Sequence, residues 1–293
     1  MSLAVRHPLD RDGEILEVAG VAPSSFVDGP GNRYVLFLQG CNFDCPACHN
    51  PTTIGRCDGC GVCIDVCALE ALTLPVTGTV LFHPGRCDSC GDCLRVCPTD
   101  ADPTIRPLPV DEVVSDIAVH APFVSGVTVS GGEPTLQLDG LIRLFTRLRD
   151  DPGLAHLERL VDTNGSLDRD GWERLLEVID GAMVDLKAAS PQRHRRLTGH
   201  DIEPVIESLR LLAERNKLTE VRLLVIEGET DDETELLAWA GIVRSVDPAV
   251  PVRLMPFRRQ GTRPLARRWH DTTPETITRA RAVLVAAGLR NVR

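Results

Sequence analysis

The cysteines are drawn into three tight groups, and no other feature limits the folds open to this chain so strongly. All eleven cysteines of the 293 residues lie between Cys41 and Cys97. Cys41, Cys45 and Cys48 are spaced C-x3-C-x2-C. Cys57, Cys60, Cys63 and Cys67 are spaced C-x2-C-x2-C-x3-C, and Cys87, Cys90, Cys93 and Cys97 repeat that spacing 30 residues later, with Pro98 after the last. An odd number of cysteines packed this densely makes a poor disulfide framework and a good metal framework, which implies a reducing compartment.

A cubane iron–sulfur cluster has four corners. The spacing C-x2-C-x2-C lets one loop wrap three of them while a distant cysteine supplies the fourth, and in two-cluster ferredoxins that fourth cysteine crosses to the other cluster. By this pattern Cys57, Cys60, Cys63 and Cys97 form one ligand set, and Cys87, Cys90, Cys93 and Cys67 form the other. Zinc is the competing reading, but structural zinc usually takes C-x2-C pairs across a longer gap. Once the quartets are assigned, Cys41, Cys45 and Cys48 have no fourth cysteine. Three thiolates leave one iron open to an added ligand; a zinc site completed by His49 is the alternative.

The rest of the chain alternates between strand-like and helical patterns. Strands are expected at Tyr34–Gln39, Val127–Ser130, Leu157–Asp162, Ala182–Leu186, Val221–Ile226 and Val252–Met255. Leu138, Leu141, Ile142, Phe145 and Leu148 mark one face of a helix. Thr230 with Glu233 reads as a capping box, and Thr273 followed by Pro274 starts the last helix. Such alternation implies parallel strands in an α/β fold, as a barrel or as an open doubly wound sheet. Residues 51–103 interrupt it. They carry eight cysteines and seven Asp or Glu against three Arg, and they fall between the first expected strand and a helix beginning near Val110. The expected organisation is therefore 1–50 and 104–293 as one discontinuous domain with 51–103 inserted.

Lysine and arginine total 32 against 42 acids, a net charge of −10, which argues against nucleic-acid and anionic-membrane partners. The first residues, MSLAVRHPLDRDGE, hold no apolar run of signal-peptide length, and no segment approaches a membrane span, so a cytoplasmic location is expected.

Further motifs close the strands. Ser130-Gly131-Gly132-Glu133 ends the second expected strand, where two glycines allow close backbone approach and Glu133 can accept from an ammonium. Asp162-Thr163-Asn164-Gly165 ends the third, and Met183-Val184-Asp185-Leu186-Lys187 ends the fourth. Lys187 is one of only two lysines against thirty arginines, so a compact ammonium in this place is a notable choice.

The triplet, with these motifs following in order, resembles the radical S-adenosylmethionine superfamily. Val27-Asp28-Gly29-Pro30-Gly31, Gln39-Gly40-Cys41 and Cys48-His49-Asn50-Pro51 narrow the likeness to the glycyl-radical-enzyme activating family, the pyruvate formate-lyase activase type. It is most similar to the YjjW-type activases with a ferredoxin-like insertion. The resemblance implies a partial (β/α)6 TIM-like barrel with an inserted two-cluster ferredoxin-like domain. It also implies three [4Fe-4S] clusters, S-adenosylmethionine and a monovalent cation. On this likeness Cys41, Cys45 and Cys48 hold the catalytic cluster, and Gly131, Gly132 and Glu133 hold the methionine end of the cofactor. Asp162 and Asp185, with the carbonyls of Thr163 and Met183, match the cation site. Lys187 and Arg222 match polar contacts to the cofactor, and Asp28 belongs to the loop that approaches the incoming peptide. The implied activity is that of an anaerobic oxidoreductase that takes hydrogen from a backbone glycine of a transiently bound glycyl radical enzyme, with a flavodoxin or ferredoxin-type electron donor. Two positions depart from the family pattern: Ala47 where an aromatic residue is common, and Arg258 near a family histidine.

Overall fold

The apolar runs become strands and the periodic stretches between them become helices. The computed structural model describes residues 13–75 and 80–293. The amino-terminal stretch read for a signal peptide therefore lies, up to residue 12, outside the described residues. They divide into two units, 13–42 with 50–157 and 43–49 with 158–293.

The first unit opens with β1 (Ile15–Ser25) and β2 (Arg33–Leu38). Within 51–103 follow α1 (Val62–Asp65), β3 (Leu72–Thr73), β4 (Leu81–Phe82) and α2 (Asp92–Val96). The unit ends with β5 (Arg106–Pro109), α3 (Val110–His120), β6 (Gly126–Gly131) and α4 (Leu138–Asp150). Strands β2 and β6 are parallel, from Arg33 opposite Gly126 to Leu38 opposite Gly131. Tyr34, Val35, Leu36, Val127 and Val129 are all buried, giving the near-continuous apolar runs of strands covered on both faces. On α4, Leu141, Leu144, Phe145 and Leu148 are fully buried, so the expected face is the packed one.

Strand β1 pairs antiparallel with both β2 and β5, and neither β1 nor β5 was expected from the sequence. The reason is local. Half of β5 is proline, which only an edge strand tolerates, and the register of β1 on β2 shifts between Val18 and Gly20, which spoils its alternation.

The second unit runs β7 (Glu158–Thr163), α5 (Arg169–Leu175), β8 (Gly181–Asp185), α6 (Pro191–Thr198), α7 (Glu203–Glu214), β9 (Leu218–Val225), α8 (Glu233–Val246), β10 (Val252–Pro256) and α9 (Pro274–Ala286). Its four strands pair in parallel in chain order. The structure thus has the α/β class and parallel strand–helix alternation expected from the sequence. Helix α9 starts as expected, with Thr273 accepting from the Thr276 N–H. The start of α8 needs a correction. Its cap is Asp232, which accepts from the Glu235 N–H at 3.1 Å, and not Thr230. The buried Thr230 hydroxyl instead bridges the β9–α8 turn, donating to the Leu224 carbonyl and accepting from the Ile226 N–H, both at 2.8 Å. Among the described residues no helix is long and apolar enough to cross a membrane.

Candidate functional site

In the first unit the chain leaves β2 at Leu38 and runs straight into Gly40 and Cys41. The Cys41 N–H donates to the Ile54 carbonyl at 2.9 Å, and the Gly40 N–H donates to the Thr53 carbonyl at 2.8 Å. The Gly131–Gly132–Glu133 turn lies against this segment: the Gly132 N–H donates to Leu38 and the Glu133 N–H to Gly40. A side chain at Gly132 would collide with the carbonyl oxygens of Gly40 and Thr53, so the close backbone approach read from the sequence is made to the chain's own triplet loop. Glu133 is fully buried, and its Oε1 accepts from the backbone N–H and the hydroxyl of Thr135 at 3.0 and 2.6 Å. Part of its acceptor capacity is thus committed within the turn. Asp28 is held nearby in sequence to β2. Its carboxylate accepts from Ser25, and its carbonyl accepts from Thr128, whose hydroxyl also accepts from the buried Arg33.

Within 51–103 the repeated spacing folds into repeated geometry. Asp58 accepts from the Cys60 N–H at 3.0 Å, and Asp88 accepts from the Cys90 N–H at 3.1 Å. One cavity is lined by Cys57, Cys60, Cys63 and Cys97. A second is lined by Cys67, Cys87, Cys90 and Cys93. Between them Cys63, Leu72 and Val80 form a small buried core against Ile64, Phe82 and Val96. Among the described residues no three His, Cys, Asp or Glu side chains converge as one metal ion requires.

In the second unit the loop 43–49 carries Cys45 and Cys48, joined by a Cys48 N–H to Cys45 carbonyl bond of 3.2 Å. Burial pushes the Cys45 thiol up to about 12, with Lys187 pulling the other way. A bare thiolate is therefore disfavoured there, and bound metal would supply the missing positive charge. Lys187 Nζ donates to Asp185 at 2.6 Å. Burial opposes the charge on Lys187, but Asp185 and Cys45 outweigh it and hold the ammonium above the ordinary lysine range.

The ends of β7, β8 and β9 gather the remaining predicted residues. Asp185 stands opposite Arg222 in the β8–β9 register. The Arg222 guanidinium meets Asp162 at 2.8 Å and Glu220 at 2.9 Å, and its Nη2 lies 3.1 Å from the Met183 sulfur. Burial works against this charge too, yet Asp162 and Asp185 raise Arg222 further above its usual value. Each carboxylate expected at a cation site is thus already paired with a side-chain cation. Of the two departures, Ala47 packs in a buried apolar cluster with Phe257 and Trp269, so aromatic bulk reaches it from another segment. The Arg258 carbonyl meets His49 Nε2 at 2.8 Å, while its guanidinium donates to Thr272.

Two features escaped the sequence reading. Phe43 is gripped between His194, edge-on at 5.7 Å, and His200, stacked at 5.1 Å, while the Asp44 N–H donates to the Thr198 carbonyl. No local pattern marks that contact. Glu220 completes the Arg222 network, and its signal was present: it lies two residues from Arg222, on the same face of the strand.

The radical SAM superfamily model matches residues 35–240. A pyruvate formate-lyase-activating enzyme of Staphylococcus aureus is 26% identical over 245 residues, covering 80% of this chain and 78% of that protein. Among solved structures, QueE from Escherichia coli aligns over 100% of this chain and 98% of its own with a TM-score of 0.52 at 12% identity. A radical SAM methyltransferase from Sphaerobacter thermophilus aligns over 71% of this chain and 62% of its own, with a TM-score of 0.53 at 18% identity. At these identities the solved structures speak for the fold.

Proposed function

The chain belongs to the radical S-adenosylmethionine superfamily, and from that premise we propose that it activates a glycyl radical enzyme. The likeness to a pyruvate formate-lyase-activating enzyme over 80% of this chain supports the partner class, and the arrangement of the cysteines supports the cofactor chemistry. Eight cysteines line two cavities in sets of four, which leaves Cys41, Cys45 and Cys48 as a set of three. A set of three is what a cluster with an open iron requires.

A bound open cluster would supply the electron for reductive cleavage of S-adenosylmethionine, and with it the 5′-deoxyadenosyl radical chemistry that would remove hydrogen from a partner's glycine. The protein's share is binding, orientation and exclusion of side reactions. Cys41, Cys45 and Cys48 hold the cluster. Gly131 and Gly132 keep backbone beside the Cys41 loop free of side chains, and Glu133 supplies a buried carboxylate for the ammonium of the methionine moiety. Lys187 and Arg222 supply cations for its carboxylate. For a monovalent cation to bind Asp162 and Asp185, their pairs with Arg222 and Lys187 must open. Residues 51–103 form a ferredoxin-like insertion, with Cys57, Cys60, Cys63 and Cys97 holding one auxiliary cluster and Cys67, Cys87, Cys90 and Cys93 the other. A flavodoxin or ferredoxin-type protein is the external donor, in a reducing, anaerobic cytoplasm. Asp28 stands in the loop that meets the partner's C-terminal glycine segment, and binding of the partner is transient.

The test is an anaerobic mixture of reduced protein, S-adenosylmethionine and a glycyl radical enzyme, followed by electron paramagnetic resonance. A glycine-centred doublet that needs the cofactor and disappears in Cys45→Ala is expected. Release of 5′-deoxyadenosine with no doublet for any glycyl radical partner would overturn the activase reading and leave cofactor cleavage standing. No 5′-deoxyadenosine at full iron content would overturn both.

A further inference from the structure

Residues 52–55, at the entrance of the insertion, run alongside residues 39–41. Besides the two backbone bonds from Gly40 and Cys41, the fully buried Gln39 donates through Nε2 to the carbonyls of Thr52 at 2.8 Å and Gly55 at 2.5 Å. One side of this short ladder carries the Gly131–Gly132–Glu133 turn. The other side carries the exit of the insertion: a Cβ at Gly55 would overlap the Thr99 carbonyl oxygen and stand 2.8 Å from the Ala101 nitrogen. Gly132, Gly40 and Gly55 therefore stand at successive contacts of one backbone stack. That stack runs from the cofactor-binding turn, through Cys41, to Thr99.

Gly55 lies two residues before Cys57, and Thr99 lies two residues after Cys97. These are the first and last cysteines of the first ring, so the Gly55–Thr99 contact closes that ring at its base. The second ring starts at Cys67, 12 residues beyond Gly55. Resting on the function proposed above, we propose that Gly55 is a positioning residue. Through it, the closed first ring holds Cys41 and the Gly131–Gly132–Glu133 turn in register, so the insertion sets affinity for S-adenosylmethionine before any electron moves. Interiors are close-packed and transmit strain, and a stack with no room for one methyl group has little slack to absorb a shift. The same contact brings the two ends of the insertion close together beside Cys41.

The experiment measures binding of S-adenosylmethionine to the full-length, anaerobically reconstituted, oxidised protein by equilibrium dialysis, where electron transfer plays no part. Iron content and thermal midpoint are recorded for every sample. Gly55→Ala, whose added Cβ would overlap the Thr99 carbonyl oxygen, is expected to lower the midpoint and, at full iron content, to raise the dissociation constant by about tenfold or more. Gly85→Ala, where an added Cβ meets nothing within 4 Å, is expected to leave it unchanged. Should Gly55→Ala fail to take up full iron, Gln39→Leu, which removes both side-chain hydrogen bonds of the ladder, must show the same loss. A dissociation constant within about twofold of wild type in whichever variant is fully loaded overturns the proposal. So does a loss that only tracks iron content, or one shown equally by Leu284→Ala, which is destabilised at a buried position of α9 outside the stack; either would mark Gly55 as merely structural. Wild-type protein that is fully loaded and binds no S-adenosylmethionine would instead overturn the function on which the proposal rests.

Discussion

Replacing Arg222 with leucine tests whether the strand-end network is held by one buried guanidinium. Its Nη1 meets Asp162 at 2.8 Å and its Nε meets Glu220 at 2.9 Å, and the three side chains are only 7%, 12% and 5% exposed. Removing one partner of a buried ion pair costs about 3–5 kcal/mol, because the remaining charge stays buried without compensation. Glu220 keeps a second cation, Arg293 at 2.9 Å, so the cost falls mainly on Asp162 and belongs in the lower part of that range, about 3–4 kcal/mol. Unfolding entropy of about 2.1 cal/mol/K per residue over 293 residues amounts to about 0.6 kcal/mol/K, so the midpoint should drop by about 5–7 °C. Anaerobic circular dichroism melts at matched iron content measure it. Adding Asp162→Leu should recover at least half of the loss, since an apolar pair can replace a buried ionic one. A drop below about 2 °C, or a double variant no better than the single one, would refute the reasoning.

Glu133→Gln keeps an acceptor for Thr135 but loses the charge, so the fold should hold while affinity for S-adenosylmethionine falls by about ten- to a hundredfold in equilibrium dialysis, the range of a charge-assisted hydrogen bond. Gly132→Ala would press a methyl group onto the Gly40 and Thr53 carbonyls, and a thermal melt should show a loss of about 1–3 kcal/mol together with weakened cofactor binding. In iron-free protein at pH 8, Cys45, with its thiol pushed up to about 12 by burial, should alkylate far more slowly than the exposed Cys60 when followed by mass spectrometry. Its rate should climb about tenfold per pH unit below that value as the thiolate fraction grows; equal rates for the two cysteines would count against the burial argument.

The strands of parallel pairing could be read in advance because each holds a short, mostly apolar and β-branched stretch, even where charged residues such as Glu220 and Arg222 interrupt it, and burial on both faces favours that composition locally. Strands β1 and β5 could not, because β5 at the sheet edge tolerates proline and the register shifts of β1 on β2 break its alternation. The capping position at α8 failed for a related reason. Thr230 and Asp232 are both good capping residues, and only the three-dimensional turn shows that the threonine is occupied elsewhere. At the site, spacing singled out every cysteine, the glycine turn and the acids at strand ends. It did not reveal that Glu133 serves Thr135, or that Arg222 and Lys187 already neutralise Asp162 and Asp185.

The amino-acid order alone accounts for the class of chemistry and the α/β alternation, because cluster ligation and strand burial both write short-range spacings that survive in one dimension. Which charges neutralise one another, which carbonyls leave no room for a methyl group and what grips Phe43 are matters of long-range packing. Such contacts join residues separated by tens to more than a hundred positions, and they exist only once the backbone has brought those surfaces together.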